Sequence, residues 1–132
     1  MRAVDTNVLL RYFSDDDPIQ SPLARQVLAQ GGLFVARTVV LEFEWVARSA
    51  YKRPPAAIVA ALRFLMARAD VVVENETMVE LACERYLAGF DFADALHHAA
   101  GSQCTEFISF DRDSLAKRVA KLRLLPPVVV PT

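Results

Sequence analysis

An α/β domain built on a mainly parallel sheet is what this sequence predicts, and three observations predict it. Short apolar runs such as Val71-Val72-Val73 alternate with longer segments of helical periodicity. The 132 residues are 54% hydrophobic and 23% charged, the balance of a globular chain able to bury a core without disulfides or a structural metal. No repeat, low-complexity tract or linker interrupts the pattern, so one domain over 1–132 is expected.

The elements follow in order. A first strand is expected over 2–4 and a helix over 7–13. Asp17 before Pro18 reads as the start of a second helix, because proline suits the first helical position, and Gly31-Gly32 reads as its end. A strand over 33–36 comes next. A helix over 38–51 would bury Val39, Phe43, Val46 and Ala50, and Pro54-Pro55 breaks it. The helix over 56–69 places Ile58, Leu62 and Leu65 on one face. A third strand covers 71–73. Thr77 and Glu80 have the spacing of a capping box for the following helix, which Gly89 ends. Asp91 reads as the N-cap of a helix over 92–102. A fourth strand covers 107–110 and a last helix 114–122. The tail 124–130 admits a short edge strand, since its prolines exclude a central one.

The net charge of −1 argues against binding nucleic acid by bulk charge, while leaving room for a local basic rim. No secretory pattern opens the chain and no apolar run reaches the roughly 18 residues of a membrane span, so a cytoplasmic location is expected, with no membrane association. Cys83 and Cys104 belong to no CxxC or Cys/His cluster and are expected to be reduced, buried thiols.

A parallel sheet presents its ligand site beyond the C-terminal ends of its strands. Asp5 and Asp111 end the first and fourth strands by this reading. Glu42 and Asp94 lie in early turns of helices that point at the same crevice. Four such carboxylates repel one another, and a divalent cation removes that penalty. Mg²⁺ and Mn²⁺ are hard ions that take oxygen ligands, and they activate water and polarise phosphoryl oxygens, as phosphodiester hydrolysis requires. Each residue also has a plainer role open to it. Asp5 could cap the first helix, Glu42 could face solvent, Asp94 could share a cap with Asp91, and Asp111 could begin a turn. Glu42 lies between Leu41 and Phe43, where an unpaired charge is costly, whereas Glu44 points elsewhere and is expected to be solvated. Asp113 is expected to cap the last helix or support the site. His97 and His98, adjacent on a helix, face different directions and cannot chelate one ion as an i, i+4 pair would, so a structural or surface role is expected for both. No HExxH, GxSxG, Walker-type or GxGxxG motif is present.

Four segments together resemble the PIN-domain family. They are Val4-Asp5-Thr6-Asn7-Val8-Leu9-Leu10, Val40-Leu41-Glu42-Phe43-Glu44-Trp45-Val46, Asp91-Phe92-Ala93-Asp94-Ala95-Leu96-His97 and Ser109-Phe110-Asp111-Arg112-Asp113. They occur in the family's order and spacing and span nearly the whole chain. The chain is most similar in character to the VapC-like ribonuclease toxins of toxin–antitoxin pairs. That resemblance implies a three-layer α/β/α sandwich with a central, mainly parallel sheet of four or five strands. It implies Mg²⁺- or Mn²⁺-dependent cleavage of RNA, a homodimer, and inhibition by a cognate antitoxin. It makes Asp5, Glu42, Asp94 and Asp111 the catalytic, metal-holding quartet. Thr6 and Asn7 would brace Asp5, Ser109 would support Asp111, and Asp113 matches a more variable position.

RNA must also be held beside this negative site. Arg11 and Arg112 are the leading candidates for phosphate contacts, with Arg37, Arg48, Lys117 and Arg118 behind them. Two rival classes compete. A phospho-acceptor domain would want paired acidic residues after the first strand and a lysine after the last, and an aspartyl-nucleophile phosphatase would want Asp-x-Asp where Asn7 stands. A PIN-like module that only binds RNA or a partner would not need the intact quartet.

Overall fold

The computed structural model describes all residues from Met1 to Thr132. Its internal contacts gather into two units, Met1–Glu76 and Thr77–Thr132.

In the first unit, β1 (Arg2–Ala3), β2 (Leu33–Val35) and β3 (Val71–Val73) pair side by side in that order, every pair parallel. Parallel neighbours need crossovers, and helices supply them. α1 (Thr6–Ser14) and α2 (Gln20–Gln30) join β1 to β2, and α3 (Arg37–Ser49) and α4 (Pro55–Ala67) join β2 to β3. Strand alternation buries Leu33, Val35, Val71 and Val73, while Val72 points to the open face. Leu9, Leu10, Leu28, Val40, Phe43, Ile58, Leu62 and Leu65 bring helical stripes into the core.

Local chemistry explains most boundaries. Gly31 and Gly32 both hold positive φ, and Gly31 closes α2 through its N–H to the Leu28 carbonyl. Asp17 accepts from the N–H groups of Ile19 and Gln20, but the helix it starts begins at Gln20 rather than at Pro18. Pro55 opens α4 at a position where its missing N–H costs nothing. α3 departs from expectation. Its buried stripe is Val40, Phe43, Glu44 and Ala47, one residue round from the Val39, Phe43, Val46 and Ala50 face read from the sequence. That rotation exposes Glu42 and buries Glu44, the reverse of the expected pair. Glu44 is kept in company by Arg48, 2.7 Å away.

In the second unit, α5 starts at the last residue of the first (Glu76–Leu87) and is followed by α6 (Phe92–Ala100). The supposed capping box does not form. Asn75 takes a left-handed φ of 54° and the helix begins at Glu76, so Thr77 lies inside it. β4 (Phe107–Ile108) pairs in parallel with β5 (Val128–Val129), as an edge strand in the tail required. The last helical stretch is a π-helical turn, Arg112–Ala116, running into α7 (Lys117–Leu122). Cys83 is buried as expected, but Cys104 is exposed, because it sits in the turn before β4 rather than on a packed face. The chain is thus of the α/β class, its five short strands all paired in parallel, three in one ladder and two in the other. No helix is long and apolar enough to cross a membrane.

Candidate active site

The acidic candidates fall as one pair in each unit. In the first, Asp5 follows β1 and is the N-cap of α1, its extended backbone (φ −83°, ψ 160°) turning the side chain back so that Oδ1 accepts from the Thr6 N–H at 2.8 Å. The capping role weighed for Asp5 is therefore real. It occupies one carboxylate oxygen and leaves Oδ2 without a protein donor. Glu42 comes from α3 and accepts a hydrogen bond from the Thr6 hydroxyl. Thr6 is itself buried, so this donor is fixed in place. Asp5, Thr6, Asn7 and Glu42, with Leu10 and Val46, line one cavity of about 200 Å³. Thr6 accordingly serves both carboxylates, Asp5 through its backbone and Glu42 through its side chain. Asn7 is exposed at the rim and makes no bond to Asp5.

In the second unit, Asp94 stands in the first turn of α6, with Asp91 capping the helix by accepting from the Asp94 N–H at 3.0 Å. Partial burial, then the negative charges of Asp91 and Asp111, push the Asp94 carboxyl above the ordinary aspartate range, while His97 pulls the other way. Asp111 is thus within electrostatic reach of Asp94. It follows β4 and caps the π-helical turn, Oδ1 accepting from the Ser114 N–H at 2.9 Å. The cap expected of Asp113 belongs to Asp111, and Asp113 is exposed on the turn. Ser109 Oγ accepts from the Asp111 N–H at 3.0 Å.

Asp5, Asp94 and Asp111 sit where the fold concentrates favourable potential for anions, at helix N-termini, while Glu42 enters from the second turn of α3. Within neither unit are three or more His, Cys, Asp or Glu side chains drawn together at metal-binding distances. The donors on each side are carboxylate oxygens, a set whose chemistry suits a hard, oxygen-preferring divalent ion rather than a thiolate- or imidazole-seeking one.

The basic candidates divide. Arg11 is engaged inside its unit, with Gln20 Oε1 at 2.9 Å, the Tyr51 hydroxyl at 3.0 Å and Asp16 at 3.2 Å. Arg48 is committed to Glu44. Arg112, Lys117 and Arg118 are exposed on the segment that follows Asp111. Arg37 is half-buried, and its backbone N–H donates to Glu74 Oε1 at 2.8 Å, so a carboxylate at the end of β3 caps α3. Sequence reasoning missed this cap, since 37 residues separate the partners. His98 is buried and His97 exposed, so the structural and surface roles divide between the two.

Comparison with known proteins completes the picture. The model of the PIN domain family matches residues 2–122, a span that holds all four acidic positions. No curated protein matches the chain. Among solved structures it is similar to VapC20 of Mycobacterium tuberculosis, a Sarcin-Ricin loop cleaving toxin, at 19% identity and a TM-score of 0.43, over 80% of this chain and 86% of that one. With nearly its whole length covered by the family model, the chain belongs to the PIN domain family.

Proposed function

We propose that this chain, as a single PIN domain over 1–132, is a divalent-metal-dependent endoribonuclease and the toxin of a toxin–antitoxin pair. The observation that carries the reading is the placement of Asp5 and Glu42 on one small cavity, tied together by the buried Thr6, in a chain whose family match also holds Asp94 and Asp111. Asp5 and Asp94 would be the direct ligands of Mg²⁺ or Mn²⁺, with Glu42 and Asp111 binding through water or a second ion. Such an ion supplies activated water and charge neutralisation at a phosphodiester. The residues themselves supply orientation. The Asp5 cap uses one carboxylate oxygen, and the Thr6 hydroxyl ties down one oxygen of Glu42. The Asp94 carboxyl is raised, so its ionisation gains from a nearby cation. Arg112, exposed beside Asp111, is the better of the two leading phosphate candidates, because Arg11 would have to leave three internal partners first.

The expected partners are an RNA substrate, a second copy of the chain, and an antitoxin offering an arginine-rich segment whose guanidinium satisfies the carboxylates in place of metal. Purified protein should cleave a mixed RNA pool with Mg²⁺ or Mn²⁺, fail in EDTA, and fail when Asp94 is replaced by Asn. Cleavage that survives both EDTA and Asp94→Asn would sink the reading. Folded, partner-free protein that cuts nothing in either metal would favour the alternative, a catalytically silent PIN-like module that binds RNA or a partner.

A further inference from the structure

His98 is fully buried, yet both of its ring nitrogens are engaged. Nε2 lies 2.7 Å from the carbonyl oxygen of Pro126, and Nδ1 lies 3.0 Å from the Arg85 guanidinium. A carbonyl can only accept and a guanidinium can only donate, so Nε2 carries the proton and Nδ1 offers its lone pair. The same ring packs against Phe107 of β4, with centroids 5.5 Å apart. One side chain on α6 therefore grips both strands of the small ladder: β4 through its aromatic residue and β5 through the segment that leads into it.

That ladder carries Asp111. The Phe107 N–H donates to the Pro127 carbonyl at 2.9 Å, and the Ser109 N–H to the Val129 carbonyl at 3.1 Å. Ser109 then receives the Asp111 N–H on its hydroxyl. Each strand is only two residues long, and so short a pair has little stability of its own. Pro126 and β5 lie past residue 122, where the family match ends.

We propose that His98 is a positioning residue for Asp111: by holding the Pro126 carbonyl and the Phe107 ring, it fixes the β4–β5 ladder to α6, and through Ser109 that ladder holds the backbone of Asp111 in place. It touches neither substrate nor metal. The inference rests on the nuclease reading for its effect on catalysis, but not for its effect on the ladder.

Two replacements separate the two bonds. His98→Gln puts an amide N–H near the Nε2 position and keeps a donor for Pro126, whereas His98→Asn places its amide nearer the Nδ1 position and serves Arg85 instead. Amide hydrogen exchange reads the ladder directly at Phe107 and Ser109. Metal-dependent RNA cleavage reads Asp111. His98→Asn is expected to lose protection at those two amides and to lower kcat about tenfold or more with KM little changed, the usual range for groups that orient metal-site carboxylates. His98→Gln should recover both. Equal protection and turnover in both variants would overturn the proposal, as would protection lost evenly across the whole chain, which would make His98 a packing residue only. Should the parent protein cut no RNA, the nuclease reading fails by itself. The exchange pattern then still decides, local loss in His98→Asn with recovery in His98→Gln supporting the tie and any other pattern refuting it.

Discussion

Replacing Thr6 with Val tests the link on which the first acidic pair depends. Valine keeps the branched shape of a side chain that is only 3% exposed, so packing around it should hold, and helix propensity hardly changes. What is lost is the hydroxyl donor to Glu42. Hydrogen bonds to charged groups are worth roughly 1.5–3 kcal/mol, but Glu42 is exposed and water replaces part of the contact, so a cost of about 1 kcal/mol is expected. For a chain of this size that corresponds to a fall in Tm of roughly 4 °C. The assay is urea unfolding of the parent, Thr6→Val, Glu42→Ala and the double variant, all in EDTA. The coupling read from this cycle should be about 1 kcal/mol, because each single change removes the same bond. In metal, Thr6→Val should also cleave RNA about tenfold more slowly, as a freed Glu42 samples other rotamers. A coupling indistinguishable from zero, with Thr6→Val as stable as the parent, would refute the claim that Thr6 holds Glu42.

Other outcomes follow from the same geometry. Asp5→Asn should leave stability within about 0.5 kcal/mol, because Asn caps helices as well as Asp, while RNA cleavage is lost; circular dichroism beside the cleavage assay checks both halves. Asp94→Asn should be more stable than the parent at pH 7 in EDTA. The folded state raises this carboxyl, so it holds the proton more tightly than the unfolded chain does, and the ionised form costs stability as pH rises through the folded value. The advantage should shrink in acid, where both states are protonated, and unfolding curves across the acid-to-neutral range that show no such trend would count against the raised Asp94 carboxyl. Gly31→Ala should cost about 2 kcal/mol, measured by denaturant midpoint, since φ is +69° and a Cβ there would strike the Asp70 carboxylate that Arg68 holds at 2.7 Å.

The legible parts of this protein were the local ones. Asp91 as a cap, Gly31-Gly32 as a helix end and the strand at Val71–Val73 all depend on neighbours within a few residues, and each is found where the sequence placed it. α4 buries Ile58, Leu62 and Leu65 as expected, with Val59 beside them. α3 does not keep its expected stripe. In the run Val39-Val40-Leu41-Glu42-Phe43-Glu44-Trp45-Val46-Ala47, apolar residues line more than one face, so periodicity admits two stripes about 100° apart. Only packing chooses between them, and it chose the stripe that includes Glu44. The capping box at Thr77 failed for a similar reason, because Asn75 accepts the left-handed geometry that lets α5 start earlier.

By itself the sequence determined the α/β class, the order of its elements and the membership in its family, since all of these are written in short-range pattern and motif order. Tertiary structure decided what those residues do beside their neighbours: that Thr6 turns its hydroxyl to Glu42, that Glu74 caps a helix 37 residues back, that Asp111 rather than Asp113 caps the final turn, and that His98 fastens the tail. These are contacts between side chains far apart in the chain or in competition for one donor. A hydrogen bond is specified by distance and angle in space, and no spacing along the sequence encodes either until the core has packed.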